Sequence, residues 1–377
     1  MKLYEDPCFT ALSPELSALF AGAGERSFFF QAAWYDLLSR HALPAGAHVR
    51  LYVEGGARPC AALVCHTDQL ARGAHELKSF CNVYSCEHGP LIDSSEPAAL
   101  AGLERLIVVL AGGEPWQTIT IPGLDATDQA FRVLAEGLRR ARFVVQPFFD
   151  SGTWYESTAG LSYERYLASR PSVLRNTWRR KGRQLESAGK VELRFIDGEG
   201  RELDAATAAY ERVYRRSWKP VELFPGFIPA LIALLARLGA LRLGILYLEG
   251  DPIAAEFWIV WRGRAMIYKL AYDERFRRYS PGTYLTMRMM ERVLTRDRPH
   301  EVNFGRGDDP YKKLWLARRR ERWGIVAANP RMVRGVYVAG RILASRLLHR
   351  LRGEINPLTA SVRLGQSAAG PASALGA

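Results

Sequence analysis

Arg277-Arg278-Tyr279-Ser280-Pro281-Gly282-Thr283 is the stretch on which the reading of this chain turns. Ahead of it, Ala265 to Tyr272 reads as a strand; behind it, Pro281 to about Arg296 follows helical spacing. A strand that runs into a helix leaves the first N–H groups of that helix without intrahelical acceptors. The helix dipole adds partial positive charge at the same end, so the junction suits a pyrophosphate. Pro281 fits the first turn, where its missing N–H has no consequence. Gly282 lets a ligand approach the backbone closely, and Arg277 and Arg278 can add charge-assisted hydrogen bonds. Ser280 and Thr283 complete the expected anion loop. An ordinary loop with a serine cap is the competing reading of these seven residues taken alone.

The flanking sequence narrows the choice. Val191 to Ile196 alternates as a strand, and helical periodicity covers Ala205 to Trp218 and Pro229 to Leu238. Three strands follow, Leu241 to Leu248, Ile253 to Trp261 and Ala265 to Tyr272. They are joined by the tight turns Glu249-Gly250-Asp251-Pro252 and Arg262-Gly263. Beyond the helix come a short strand, Glu301 to Phe304, a helix near Pro310 to Ala317, and a last strand, Arg322 to Ala327. Glu256 is a carboxylate inside an apolar strand, where burial would raise its pKa toward a value useful for a general base. Lys269 and Tyr272 fall on opposite faces of the next strand, so only one of them can reach a cleft.

This order of elements resembles that of the GNAT superfamily of acetyltransferases. In the GNAT pattern Q/R-x-x-G-x-G/A, the defined positions fall on Arg277, Ser280 and Gly282, with serine replacing the first glycine. Three segments look like those of CelD/BcsL-like acetyltransferases, a family associated with cellulose biosynthesis: Tyr279-Ser280-Pro281-Gly282, Asn303-Phe304-Gly305-Arg306-Gly307-Asp308 and Tyr311-Lys312-Lys313-Leu314-Trp315. That family is similar to the Fem-type aminoacyl transferases, whose chains hold two GNAT-like domains. The basic segment Ser169 to Gly189 and the aromatic run from Phe28 to Trp34 fit the same family, so the resemblance spans roughly residues 25 to 328.

The resemblance implies an α/β (α+β) fold of tandem GNAT-like domains with mixed, largely antiparallel sheets. It also implies transfer from acyl-CoA, as acetyl-CoA, to an amine or hydroxyl, often on a polysaccharide or cell-envelope precursor. A thioester is already activated, so the protein must position the acceptor, take its proton and stabilise an oxyanion. Neither a metal nor a covalent intermediate is expected, and the second half shows no G-x-S-x-G elbow. The expected catalytic residues are Glu256, Tyr272, Asp308 and Lys312, the lysine holding the acceptor or the oxyanion. The donor's pyrophosphate falls to Arg277, Arg278, Ser280, Gly282 and Thr283. Arg175, Arg179 and Tyr311 are the candidates for the acceptor. For the arginines the competing reading is a solvated face, and Trp178 between them either stacks on a ligand or packs in the core.

At 377 residues the chain exceeds what one core usually serves. The expected division is a first GNAT-like domain over residues 1–152, a second over 153–330, a basic amphipathic helix over 331–356 and a disordered tail over 357–377. In the first domain the sequence predicts a helix over Trp34 to His41 and a hairpin of Val49 to Glu54 with Pro59 to His66 across Gly55-Gly56. An extended stretch at Leu77 to Tyr84 and a helix at Pro97 to Leu110 follow. Then come a strand at Trp116 to Ile121, a helix at Ala126 to Arg142 and a strand at Phe143 to Phe149.

The formal charge of +13 suits an anionic partner of some kind. The five cysteines lie in the first quarter of the chain and, beside His66 and His88, lack the spacing of a zinc site. No apolar run approaches the ~20 residues that span a bilayer, and Met1 to Pro7 lack the apolar core of a secretion signal, so the cytoplasm is the expectation. The helix from Arg331 to Arg352, with Val333, Val336, Leu343, Leu347 and Leu351 along one face, suggests peripheral membrane contact or packing on the second domain. Fem-type transfer from aminoacyl-tRNA and a non-catalytic anion-binding or membrane-surface protein are the rival functions. Nucleic acid is otherwise disfavoured, since no helix-turn-helix, zinc finger or RNP-like motif is present.

Overall fold

The computed structural model describes residues 1–69 and 75–351, so the expected tail over 357–377 lies outside the described residues. In chain order the first elements are β1 (Lys2–Glu5), α1 (Pro14–Arg26), α2 (Ala32–His41), β2 (His48–Glu54), β3 (Ala61–Gln69), β4 (His75–Ser79) and β5 (Leu91–Ile92). Next come α3 (Ala99–Gly113), β6 (Trp116–Leu124), α4 (Gln129–Arg140), β7 (Val144–Ser157), α5 (Tyr163–Ser169), α6 (Ser172–Glu186) and β8 (Val191–Ile196). The remainder are α7 (Arg201–Arg215), α8 (Phe227–Arg237), β9 (Leu241–Leu248), β10 (Asp251–Trp261), β11 (Arg264–Tyr272), α9 (Pro281–Arg292), β12 (Glu301–Asn303), β13 (Arg318–Ala328) and α10 (Val333–Leu351).

The chain folds as two compact units that alternate along the sequence. Of the described residues, 1–23, 44–69, 75–150 and 322–351 form the first, residues 24–43 and 151–321 the second. Two excursions have tertiary causes. Phe28, Phe29 and Trp34 pack edge-on or tilted against Trp261, Tyr268 and Phe227, which draws residues 24–43 into the second unit. The end of β13 pairs antiparallel with β6, from Trp323↔Leu124 to Ala328↔Thr118, which returns the chain to the first.

The first unit has a sheet in the order β1-β2-β3-β4-β6-β13, antiparallel except for the parallel pair β4–β6, with β5 added on β3. The apolar residues Leu103, Leu106, Ile107 and Leu110 recur at helical spacing and bury one face of α3. Asp128 caps α4 by accepting the N–H of Ala130. The extended stretch expected over Leu77 to Tyr84 ends early, because Asn82 turns the chain by accepting the N–H of Tyr84. Cys60, Cys65 and Cys86 are buried, and among the described residues no group of three His, Cys, Asp or Glu is arranged to hold a metal. α10 docks on this unit through Ala339 and Ile342 against Ala328, whereas Val333, Val336, Tyr337 and Leu343 face solvent. The expected stripe is thus largely turned away from the protein; the side chains of Leu347 and Leu351 lie outside the described residues. Among the described residues no helix is long and apolar enough to cross a membrane.

The second unit has the order β7-β12-β11-β10-β9-β8, again antiparallel with one parallel pair, β11–β12. β10 is covered on one face by α9 and on the other by α7, which explains a strand with almost no polar alternation. Gly244 on β9 lets α9 approach closely, since a Cβ there would come within 2.7 Å of Met289 Sδ. The two parallel pairs differ in one respect. β4 pairs with β6 over four of its five residues, but β11 pairs with β12 only at Arg264, Ala265 and Met266 of its nine. From there on the second pair parts, and the sheet opens.

Candidate active site

The opening is a cleft of about 340 Å³ in the second unit. Leu270 and Tyr272 of β11 line one side, Phe304, Tyr311, Leu314 and Trp315 the other. Gly282, Thr283 and Thr286 of α9 form its floor, and Val173, Leu174 and Thr177 of α6 with Trp218 complete the wall. Apolar and aromatic side chains dominate, as in pockets that shield a reaction from water.

At the head of the cleft the chain leaves β11 through a 3-10 turn, Glu274–Tyr279. Asp273 accepts the N–H of Arg275 and binds its guanidinium, which fixes the turn; Lys181 of α6 clips it by donating to the Arg278 carbonyl at 2.6 Å. Ser280 then adopts φ 50° and ψ 52°, a left-handed conformation that reverses the chain into α9. Its side chain makes no cap. Among the described residues the N–H groups of Gly282 and Thr283 meet no acceptor, and both residues line the cleft. A Cβ at Gly282 would stand 3.2 Å from the Tyr272 ring, so the glycine keeps the strand end and the helix start in contact. Arg277 and Arg278 are exposed beside this turn.

Glu256 is completely buried on β10, opposite Gly244 and Leu270 in register. Its carboxyl accepts hydrogen bonds from Trp258 Nε1 and Thr286 Oγ1, each at 2.8 Å. Desolvation pushes its pKa up to about 8, against the pull of those two donors and of Lys219. Thr286 is its connection to the cleft, one helical turn beyond Gly282. Tyr272 lines the cleft and packs against Trp218, ring centroids 4.5 Å apart, whereas Lys269 lies on the other face, paired with Glu222 at 2.7 Å.

Two expected catalytic residues are otherwise engaged. Lys312 is 5% exposed, and its ammonium donates to the carbonyls of Phe304, Arg306 and Gly307 and pairs with Asp309. It holds the loop after β12 in shape, so the acceptor or oxyanion has no free donor there. Asp308 is gripped by Arg319 through both carboxylate oxygens and by Trp154 Nε1 at 3.0 Å. The Arg319 guanidinium holds its carboxyl below the usual range, and it is not part of the cleft lining. The helix expected over Pro310 to Ala317 is a 3-10 turn, Pro310–Leu314, because Lys312 turns inward onto these carbonyls. Tyr311 does line the cleft; burial pushes its phenol well up, with Asp309 and Glu256 adding to the effect.

The basic helix is split in role. Val173, Leu174 and Thr177 near its start line the cleft and Gly182 packs on the Tyr284 ring, while Arg179, Arg180 and Arg183 face solvent. Neither Arg175 nor Arg179 lines the cleft. Trp178 packs against the core around α9. Thr286 and Trp218 are site residues that sequence reasoning misses. Thr286 is within its reach, since Gly282 and Thr286 stand four apart on one helix face; Trp218 reaches the cleft from a loop, for which no periodicity exists.

Residues 172–313 match the acetyltransferase (GNAT) domain family. No curated protein matches the sequence. Among solved structures the chain is similar to FemX, with a TM-score of 0.57 at 10% identity over 86% of this chain and 97% of that one. It is also similar to L-PGS from Bacillus licheniformis, with a TM-score of 0.50 at 10% identity over 90% and 97% of the two chains. Similarity at this level shows a shared fold. With the strand–helix–parallel strand arrangement present in each unit and the domain match over the cleft, the chain carries a GNAT-type acetyltransferase domain and is an acyltransferase.

Proposed function

We propose that the chain transfers an acyl group from acyl-CoA to an amine or hydroxyl of a carbohydrate-linked or cell-envelope precursor. The observation that carries this reading is the uncapped N-terminus of α9 opening onto the gap between β11 and β12. The free N–H groups of Gly282 and Thr283, with Arg277 and Arg278 alongside, suit a pyrophosphate. The gap admits a slender pantetheine arm, and the apolar walls exclude water from the thioester. Glu256 is the group that takes the acceptor's proton, through Thr286 or an intervening water, in a direct attack without a covalent enzyme intermediate. Tyr272 and Tyr311 flank the reacting end. The resemblance to CelD/BcsL-like acetyltransferases and the fold shared with FemX support an envelope or polysaccharide acceptor.

Calorimetric titration with acetyl-CoA is the direct test, followed by thiol release in the presence of amino sugars. Saturable binding with 1:1 stoichiometry is expected. A chain that binds no acyl-CoA yet retains aminoacyl-tRNA would transfer the reading to a Fem-type donor, which the exposed arginines of α6 would also serve.

A further inference from the structure

The segment between α7 and α8 carries a cation that the acyl-transfer chemistry leaves unused. Lys219, Lys269 and Lys312 stand near enough for their charges to interact. Lys269 is neutralised by Glu222, and Lys312 by Asp309 and the loop carbonyls. Among the described residues the ammonium of Lys219 has no ion pair or hydrogen bond; its neighbours are the rings of Tyr214 and Trp218, with centroids 6.0 and 5.8 Å away. Of the two carboxyls that act on it, Glu222 is paired with Lys269, and Glu256 keeps its proton up to about pH 8 and offers little countercharge at neutrality. Desolvation, with Lys269 next, draws the Lys219 ammonium down to about 8, as for a cation in want of an anion.

Its position says whose anion. Trp218, on which Lys219 lies, lines the cleft and packs on Tyr272. The charges acting on Lys219 are, in order, Lys269, Glu222, Lys312 and Glu256, the last hydrogen-bonded to the cleft residue Thr286. The donor's pyrophosphate already has α9 and two arginines. Building on the acyl-transfer reading, we propose that Lys219 holds an anionic oxygen group, carboxylate or phosphate, carried by the acceptor. A lysine suits either, because its ammonium is a compact charge with three rotatable donors.

Three probes share one amine and differ in charge: glucosamine, muramic acid with a carboxylate, and glucosamine 6-phosphate. Thiol release from acetyl-CoA should favour one or both anionic sugars over glucosamine by at least tenfold in kcat/KM. Tryptophan fluorescence, without donor, should show the same order of binding. Lys219→Met should reduce the preference to less than twofold, leave the acetyl-CoA Kd unchanged, and raise KM more than it lowers kcat; Lys219→Arg should retain most of it. The stronger of the two anionic probes identifies the group. If charged and neutral sugars do not differ in either binding or turnover, or if the preference survives in Lys219→Met, the proposal is overturned. A Lys219→Met variant whose acetyl-CoA affinity drops tenfold also overturns it, since the lysine would then serve the donor. Failure of the parent to bind acetyl-CoA, with Lys219-dependent sugar binding intact, would instead refute the donor assignment and leave the anion site standing.

Discussion

At the residue scale, Gly282, Ser280 and Glu256 each answer to a different force. A Cβ at Gly282 would stand 3.2 Å from the Tyr272 ring, and the residue lines the cleft. Gly282→Val should therefore weaken acetyl-CoA binding at least tenfold, about 1.4 kcal/mol, with circular dichroism and thermal melts reporting that the domain stays folded. Gly282→Ala, which needs only a small shift of the Tyr272 ring, should lose less. Ser280 holds a left-handed conformation that costs an L-residue roughly 1–2 kcal/mol. Ser280→Gly should raise stability in denaturant titrations by about 1 kcal/mol, part of the relief being offset by the freer unfolded chain. Acetyl-CoA affinity should not change.

Glu256 links burial to pH. Its folded pKa of about 8 stands above the ordinary value of 4.5, so between those limits the folded state holds a proton that the unfolded chain has released. Stability from this group is complete below pH 4.5 and is lost as pH rises to about 8. Activity runs the other way, because a base must be ionised: the rate should rise through pH 8 and level off. Glu256→Gln can keep both hydrogen bonds. It should flatten the stability profile over this window, abolish the step in the rate profile, and lower kcat by about 10²–10⁴. A variant with an unchanged pH–rate profile would assign the proton to another group.

At the scale of elements, the length of a strand pairing decides where chemistry is possible. β4 and β6 stay joined along nearly all of β4, while β11 and β12 separate after three residues, and the cleft exists only because they do. α10 shows a different problem, a helix that buries Ala339 and Ile342 and leaves several larger apolar residues outside. Val336, Tyr337 and Leu343 are 53%, 65% and 52% exposed, with the exposed Arg334 and Arg341 among them. This pattern fits the surface of an anionic bilayer. Changing all three to aspartate should reduce cosedimentation with phosphatidylglycerol vesicles more than tenfold and leave the melting temperature nearly unaltered, because Ala339 and Ile342 keep the helix docked. Equal binding by parent and variant would confine α10 to a packing role.

At the scale of the whole molecule, a net charge of +13 acts on any polyanion. Transfer RNA should bind, but loosely, and lose most of its affinity between about 50 and 200 mM salt, as counterion release dictates. Under the acyl-CoA reading it should not compete with acetyl-CoA at the higher salt. Competition that persists there would place the acceptor stem in the cleft and favour an aminoacyl donor.

Local periodicity and turn chemistry sufficed for β8, β9 and their neighbours, for the start of α9 at Pro281, and for Glu256 as a carboxylate in an apolar strand, since each depends on residues close in the chain. The fate of a charge does not. Asp308 and Lys312 looked as free as Glu256 in the sequence, yet Arg319 and the carbonyls of Phe304 to Gly307 engage them. Trp218 and Lys219 looked like the end of a helix, and only the packing of Trp218 on Tyr272 brings that ring to the cleft, with Lys219 over it. The same holds for residues 24–43, which belong to the second unit because their rings meet Trp261 and Phe227. Sequence determined which elements form, because backbone preference and apolar spacing are short-range; partners for charges and rings come from distant parts of the chain, and only the tertiary structure could decide them.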